Sequence, residues 1–122
     1  MSKKILIIDD DPRLIKAYEV KLGAEGFKVV TEQDGTKAFD RVVEEQPDLI
    51  LLDGLMPSKN GWEILEDLKA DEELKSIPVI FVSNIGSEDR EIDAHNKGAA
   101  DYLVKSNTPL QQLVDKINEI LT

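Results

Sequence analysis

Five short apolar runs alternate with five amphipathic, helix-patterned stretches along the whole chain, and few folds accommodate that rhythm. The runs are Lys4 to Ile8, Phe27 to Thr31, Leu49 to Leu52, Val79 to Val82 and Tyr102 to Val104. Several are continuously apolar and rich in Ile and Val, as strands covered on both faces are. Strict strand–helix alternation predicts an α/β fold: a five-stranded parallel sheet, doubly wound as (βα)5, with right-handed crossovers. At 122 residues the chain fits one domain, 1–122, and no linker divides it.

The helices carry their own punctuation. Asp11-Pro12 supplies an N-cap and a first-turn proline, and Gly23 and Gly26 are expected to end that helix. Ala38, Phe39, Val42 and Val43 mark a second helix, stopped before Pro47. Asn60-Gly-Trp-Glu63 and Thr108-Pro-Leu-Gln111 each read as a capping box opening a helix. Ser87 caps a fourth helix closed by Gly98, and Leu110, Leu113, Val114, Ile117 and Leu121 form the apolar stripe of the fifth.

Charge and composition exclude several functions. A net charge of −10, with no clustering of the basic residues, repels a nucleic-acid backbone, so direct DNA binding is not expected. No apolar run approaches a membrane span, and Met-Ser-Lys-Lys followed by four apolar residues is too short for a signal peptide. The absence of cysteine fits a cytoplasmic location.

Chemistry concentrates at the strand ends. Asp9, Asp10 and Asp11 follow the first strand and Asp53 follows the third. Open parallel sheets bind ligands outside the carboxyl ends of their strands. In the strand order 2-1-3-4-5, taken from known flavodoxin-like sheets rather than from the residues, strands one and three are neighbours and these carboxylates converge. Converging carboxylates need a compensating cation, and oxygen-only donors suit a hard ion such as Mg2+, with Mn2+ as a substitute. Asp11 alone reads as a helix cap. Ser83-Asn84 and Lys105-Ser106 end the fourth and fifth strands and are expected to face the same pocket. Formal charges of −3 from Asp9, Asp10 and Asp53, offset by Lys105 and a divalent ion, leave room for one phosphoryl group. A carboxylate can be the nucleophile toward phosphorus, with the lysine and the ion neutralising the transferring oxygens and Ser83 donating to the product.

Asp9-Asp10, Asp53 followed by Gly-Leu-Met-Pro57, Ser83 and Lys105 together resemble the receiver domain of two-component response regulators over essentially the whole chain. The resemblance implies phosphoryl transfer to Asp53 from a sensor histidine kinase or histidine phosphotransfer protein, and contact with a downstream effector. The protein would be a phospho-acceptor that promotes only its own phosphorylation and autodephosphorylation. It further implies that Asp10 binds Mg2+ directly, Asp9 largely through water, and that the Leu55 carbonyl completes the ligands beside Asp53. Ser83 and Lys105 would contact the phosphoryl group, while Tyr102 would swing inward and alter the surface of the fourth helix, fifth strand and fifth helix. The fourth helix offers few apolar anchors, Ile92, Ala94 and Ala99, which suits a switching element.

Three departures stand out. Ser106 follows Lys105 where the family usually has a cis-proline, so a trans bond and a reshaped loop are expected. Asn84 replaces a small residue and narrows access. Leu55 and Ile85 are apolar where the family often has polar residues that position water, which predicts slow loss of the phosphoryl group. Two other readings share part of the pattern: a receiver-like interaction module that is never phosphorylated, and an aspartyl-nucleophile phosphatase acting through Asp9. No output domain is read after the last helix, so either a stand-alone receiver or a piece of a longer chain is expected, with the first favoured. His95 and Trp62 read as a surface residue and a helix cover.

Overall fold

The computed structural model describes residues 2–122. The strands are β1 (Lys4–Ile8), β2 (Lys28–Glu32), β3 (Leu49–Asp53), β4 (Val79–Ser83) and β5 (Asp101–Val104). The helices are α1 (Pro12–Ala24), α2 (Ala38–Glu45), α3 (Gly61–Ala70), α4 (Glu88–Asn96) and α5 (Leu110–Leu121). All four strand pairings are parallel, in the order β2-β1-β3-β4-β5. The fold is the doubly wound sheet expected from the alternation, with strand limits shifted by at most one residue at either end.

Side chains alternate across the sheet, so each strand divides its residues between two cores. Ile5, Ile7, Leu49, Leu51 and Val82 pack on one face against Ile15 and Leu22 of α1 and Leu113, Val114 and Ile117 of α5. Leu6, Ile8, Ile50, Leu52 and Phe81 pack on the other against Val42 of α2, Ile64, Leu65 and Leu68 of α3 and Ala94 of α4. All five residues of β3 are buried, and each large apolar side chain so enclosed contributes about 1.5–3 kcal/mol. The central strands thereby hold rigid backbone beneath the carboxyl edge.

Helix ends follow local chemistry with two corrections. Asp11, Asn60 and Ser87 cap α1, α3 and α4, their side chains accepting from the amides of Arg13, Glu63 and Arg90. Gly23 lies inside α1 instead of ending it, and Gly26, at φ 93°, makes the left-handed turn beyond. The capping box at Thr108 does not form. The Thr108 hydroxyl donates to the Val104 carbonyl at 2.8 Å, and α5 starts behind Pro109 without a side-chain cap. Ile92 is also no anchor: it is half exposed, and Ala94 is the buried residue of α4.

Candidate functional site

Alternation decides which polar residues meet. Two residues beyond Ile7 and Leu51, Asp9 and Asp53 continue the α1–α5 side of the sheet, and Lys105 does the same beyond Leu103. The β1–β3 register pairs Ile8 with Leu52, which brings the next residues, Asp9 and Asp53, side by side. Ser83 continues the opposite side, two residues beyond Phe81.

Oxygens of Asp9, Asp10 and Asp53 all lie within 4.8 Å of one another. Asp9 and Asp53 are 2% and 4% exposed, whereas Asp10 is open to solvent. Lys105 Nζ bridges the buried pair, 3.0 Å from Asp9 Oδ2 and 3.3 Å from Asp53 Oδ1. The remaining contacts orient the acids: Asp9 Oδ1 accepts from the Asp11 amide at 2.9 Å, and Asp53 Oδ1 from the Leu55 amide at 3.2 Å.

One lysine does not neutralise this pocket. Burial, and next the charge of Asp9, push the Asp53 carboxyl from 3.8 up to about 6, against the pull of Lys105 and the Leu55 amide. Burial works against the Lys105 charge, but its hydrogen bond and attraction to Asp9, and then to Asp53, hold it above the ordinary lysine value. Burial first, then Asp9 and Asp53, push the Tyr18 hydroxyl of α1 up to about 12. Two enclosed carboxylates with a third at the rim, all offering oxygen, are the donor set that a small hard divalent ion favours.

The other expected site residues sit around this centre. Ser83 is buried, and its Oγ accepts from the Ile85 amide at 3.2 Å. Tyr102 is buried with its ring stacked on Phe81, centroids 5.6 Å apart, and its hydroxyl donates to the Ile85 carbonyl. Leu55 is half exposed, Asn84 is exposed and Ile85 is partly buried. The Lys105–Ser106 bond is trans, like every other peptide among the described residues, and residues 105–107 form a single 3-10 turn. His95 lies exposed on α4.

Sequence reasoning missed the residues under the loop after β3. Gly61 opens α3 so close to β3 that a Cβ there would strike the Asp53 carbonyl oxygen, and its amide donates to the Gly54 carbonyl at 3.2 Å. Gly54 and Phe81 are in comparable contact. A glycine at a strand end is the available signal of such close approach, although the partner cannot be read from it.

Known proteins resemble this chain in sequence and in fold. Residues 5–118 match the family model of the response regulator receiver domain. The chain is 34% identical over 121 residues to the phosphate regulon transcriptional regulatory protein PhoB of Pseudomonas aeruginosa, covering 99% of this chain and 52% of that protein. It is 37% identical over 102 residues to the DNA-binding dual master transcriptional regulator RpaA of Synechocystis, covering 84% of this chain and 42% of that one. The chain thus spans about half or less of these relatives. Among solved structures, the BeF3-activated receiver domain of Klebsiella pneumoniae RstA superposes with a TM-score of 0.90 at 30% identity, covering 97% of both chains. A Francisella response regulator receiver domain gives 0.91 at 26% identity, covering 98% of this chain and 97% of that one. A matched family model over nearly the full length, carried on the same five-stranded frame, makes this chain a member of the response regulator receiver domain family of two-component systems.

Proposed function

We propose that Asp53 accepts a phosphoryl group from a phosphohistidine of a sensor kinase or histidine phosphotransfer protein, and that the modified domain signals to a downstream protein. One observation carries this reading: a buried carboxylate at the end of the central strand lies beside two further carboxylates and 3.3 Å from a buried lysine. An Asp53 oxygen attacks phosphorus as the P–N bond breaks, and the departing imidazole keeps the electron pair and takes up a proton. The product is an acyl phosphate, which water later hydrolyses.

Asp9, Asp10 and Asp53, with the Leu55 carbonyl, are the groups that would hold Mg2+. Bound there, the ion supplies charge neutralisation for the phosphoryl oxygens. Lys105, already paired to Asp53, binds the same oxygens once its partner is phosphorylated. Ser83 donates its hydroxyl to the phosphoryl group after leaving the Ile85 amide, and Tyr102, tied to the Ile85 carbonyl, follows that loop. The surface of α4, β5 and α5 changes with it, and α4 is suited to move because Ala94 is its buried residue. The apolar side chains of Leu55 and Ile85 offer no group to position a hydrolytic water, which slows hydrolysis, and Asn84 narrows the approach.

Intact mass after incubation with acetyl phosphate tests the reading. One phosphoryl group should be gained only when both Mg2+ and Asp53 are present, and be absent from Asp53→Asn. A folded, magnesium-binding wild type that gains none from acetyl phosphate or from a phosphohistidine donor refutes the acceptor role. A phosphoryl lifetime of seconds would contradict the roles given to Leu55 and Ile85.

A further inference from the structure

The residue after Asp53 has no side chain, and that absence is filled. A Cβ on Gly54 would lie 2.5 Å from Phe81 Cε1, 3.2 Å from Phe81 Cζ and 3.4 Å from Ser83 Oγ. Contacts under 3.0 Å do not occur for real Cβ atoms, so the ring edge occupies the space that any other residue at 54 requires. The ring is held on both faces by aromatic neighbours. Phe81 is fully buried, with Trp62 on one side at a centroid separation of 4.4 Å and Tyr102 stacked on the other at 5.6 Å. Gly54 is equally fixed: its amide donates to the Val82 carbonyl at 3.1 Å, and its carbonyl accepts from the Gly61 amide at 3.2 Å.

This contact lies between the two halves of the site. Asp53 and Lys105 are on the α1–α5 side of the sheet, Ser83 on the α3 side, and the space that a Cβ on Gly54 would fill borders the Ser83 hydroxyl. We propose that Gly54 and Phe81 are a size-matched pair of positioning residues: the missing side chain seats the Phe81 ring edge and keeps open the path by which the Ser83 hydroxyl reaches a phosphoryl group on Asp53. The inference rests on the phospho-acceptor reading of Asp53. Neither residue touches the phosphoryl group; both act through Ser83 and the backbone after Asp53.

The experiment compares wild type, Gly54→Ala, Phe81→Leu and the double variant. Phosphoryl gain from acetyl phosphate is followed by intact mass, and Mg2+ affinity by titration of Trp62 fluorescence. Gly54→Ala should slow phosphorylation about tenfold or more, the scale of small misplacements of reacting groups, while Mg2+ affinity stays within about twofold. Leucine lacks the ring edge that meets the new Cβ, so the double variant should recover to within about threefold of Phe81→Leu alone. A wild-type rate in folded Gly54→Ala overturns the pairing. So does an alanine at 54 that slows phosphorylation as much in the Phe81→Leu background as it does beside Phe81. The double variant set against Phe81→Leu decides the matter even if Gly54→Ala alone does not fold, since a slowing of tenfold there overturns the pairing by itself. Absence of phosphoryl gain in the wild type would instead fail the acceptor reading and is seen separately, in the control.

Discussion

Replacing Asp53 by asparagine is expected to stabilise the metal-free protein, although it removes the proposed acceptor. Asp53 and Asp9 are both buried and share Lys105 as their common cation. The folded state holds the Asp53 proton up to about 6, against 3.8 for the free side chain. Stability associated with this group is therefore fully present below about 3.8 and is lost as the pH rises through about 6. That separation corresponds to about 3 kcal/mol of ionisation cost at neutral pH. Asparagine keeps an oxygen for the Leu55 amide and leaves Lys105 to Asp9, so it recovers most of that cost. Urea unfolding in EDTA at pH 7.5 should show Asp53→Asn more stable than wild type by about 3 kcal/mol, and the thermal midpoint should rise by roughly 10 °C. The gap should close as the pH is lowered toward 4. Magnesium should close it from the other side, since an ion at a hundred times its Kd adds about 2.7 kcal/mol to whichever protein binds it, here the wild type. A variant no more stable than wild type at pH 7.5 in EDTA, or an offset independent of pH, would refute the electrostatic account of the pocket.

Three further substitutions probe separate parts of the site. Lys105→Met leaves two buried carboxylates without their cation. Unfolding in EDTA should show a loss of about 3 kcal/mol, and calorimetric titration about tenfold tighter Mg2+ binding; an unchanged Kd contradicts the competition between lysine and ion. Tyr102→Phe keeps the stack on Phe81 but loses the hydroxyl contact to the Ile85 carbonyl, so about 1 kcal/mol of stability should disappear and amide exchange should quicken at residues 84–87. Unaltered protection there means that the tyrosine does not hold the loop. Gly61→Ala, which in an exposed helix gains up to about 1 kcal/mol, should here cost about 1–3 kcal/mol by chemical denaturation, because the new Cβ meets the Asp53 carbonyl and lies 2.9 Å from the Gly54 Cα.

What was legible in the chain was what local patterning controls. Two-sided burial makes β3 and β4 continuous apolar runs, and their ends therefore mark where polar residues at 53 and 83 emerge. The cap at Asp11 was readable because a side chain serving the amide two residues on needs no distant partner. Thr108 misled because its hydroxyl has two possible local uses, and the nearby Val104 carbonyl takes it before a helix can. The contacts of Gly54 and Gly61 were out of reach for a different reason. Gly54 meets Phe81 of a strand placed beside it by strand order, and Gly61 meets the end of β3 through the path of the loop between them, and periodicity leaves both open.

The two-residue side-chain period has a consequence for signalling in this domain. It places Asp53 and Lys105 on one side of the sheet and Ser83, Phe81 and Tyr102 on the other, so a phosphoryl group on Asp53 would sit across the β3–β4 edge from the tyrosine that ties the loop before α4. The connection between the two sides is short: the backbone of Gly54, bonded to Val82 of β4 and to Gly61 of α3, with the Phe81 ring directly against it. Close packing there leaves no slack to absorb a displacement of Asp53 or Ser83. A shift at either residue would be taken up by the ring column, whose outer ring Trp62 is partly buried, or by the loop, where Asn84 is exposed and Ile85 partly buried.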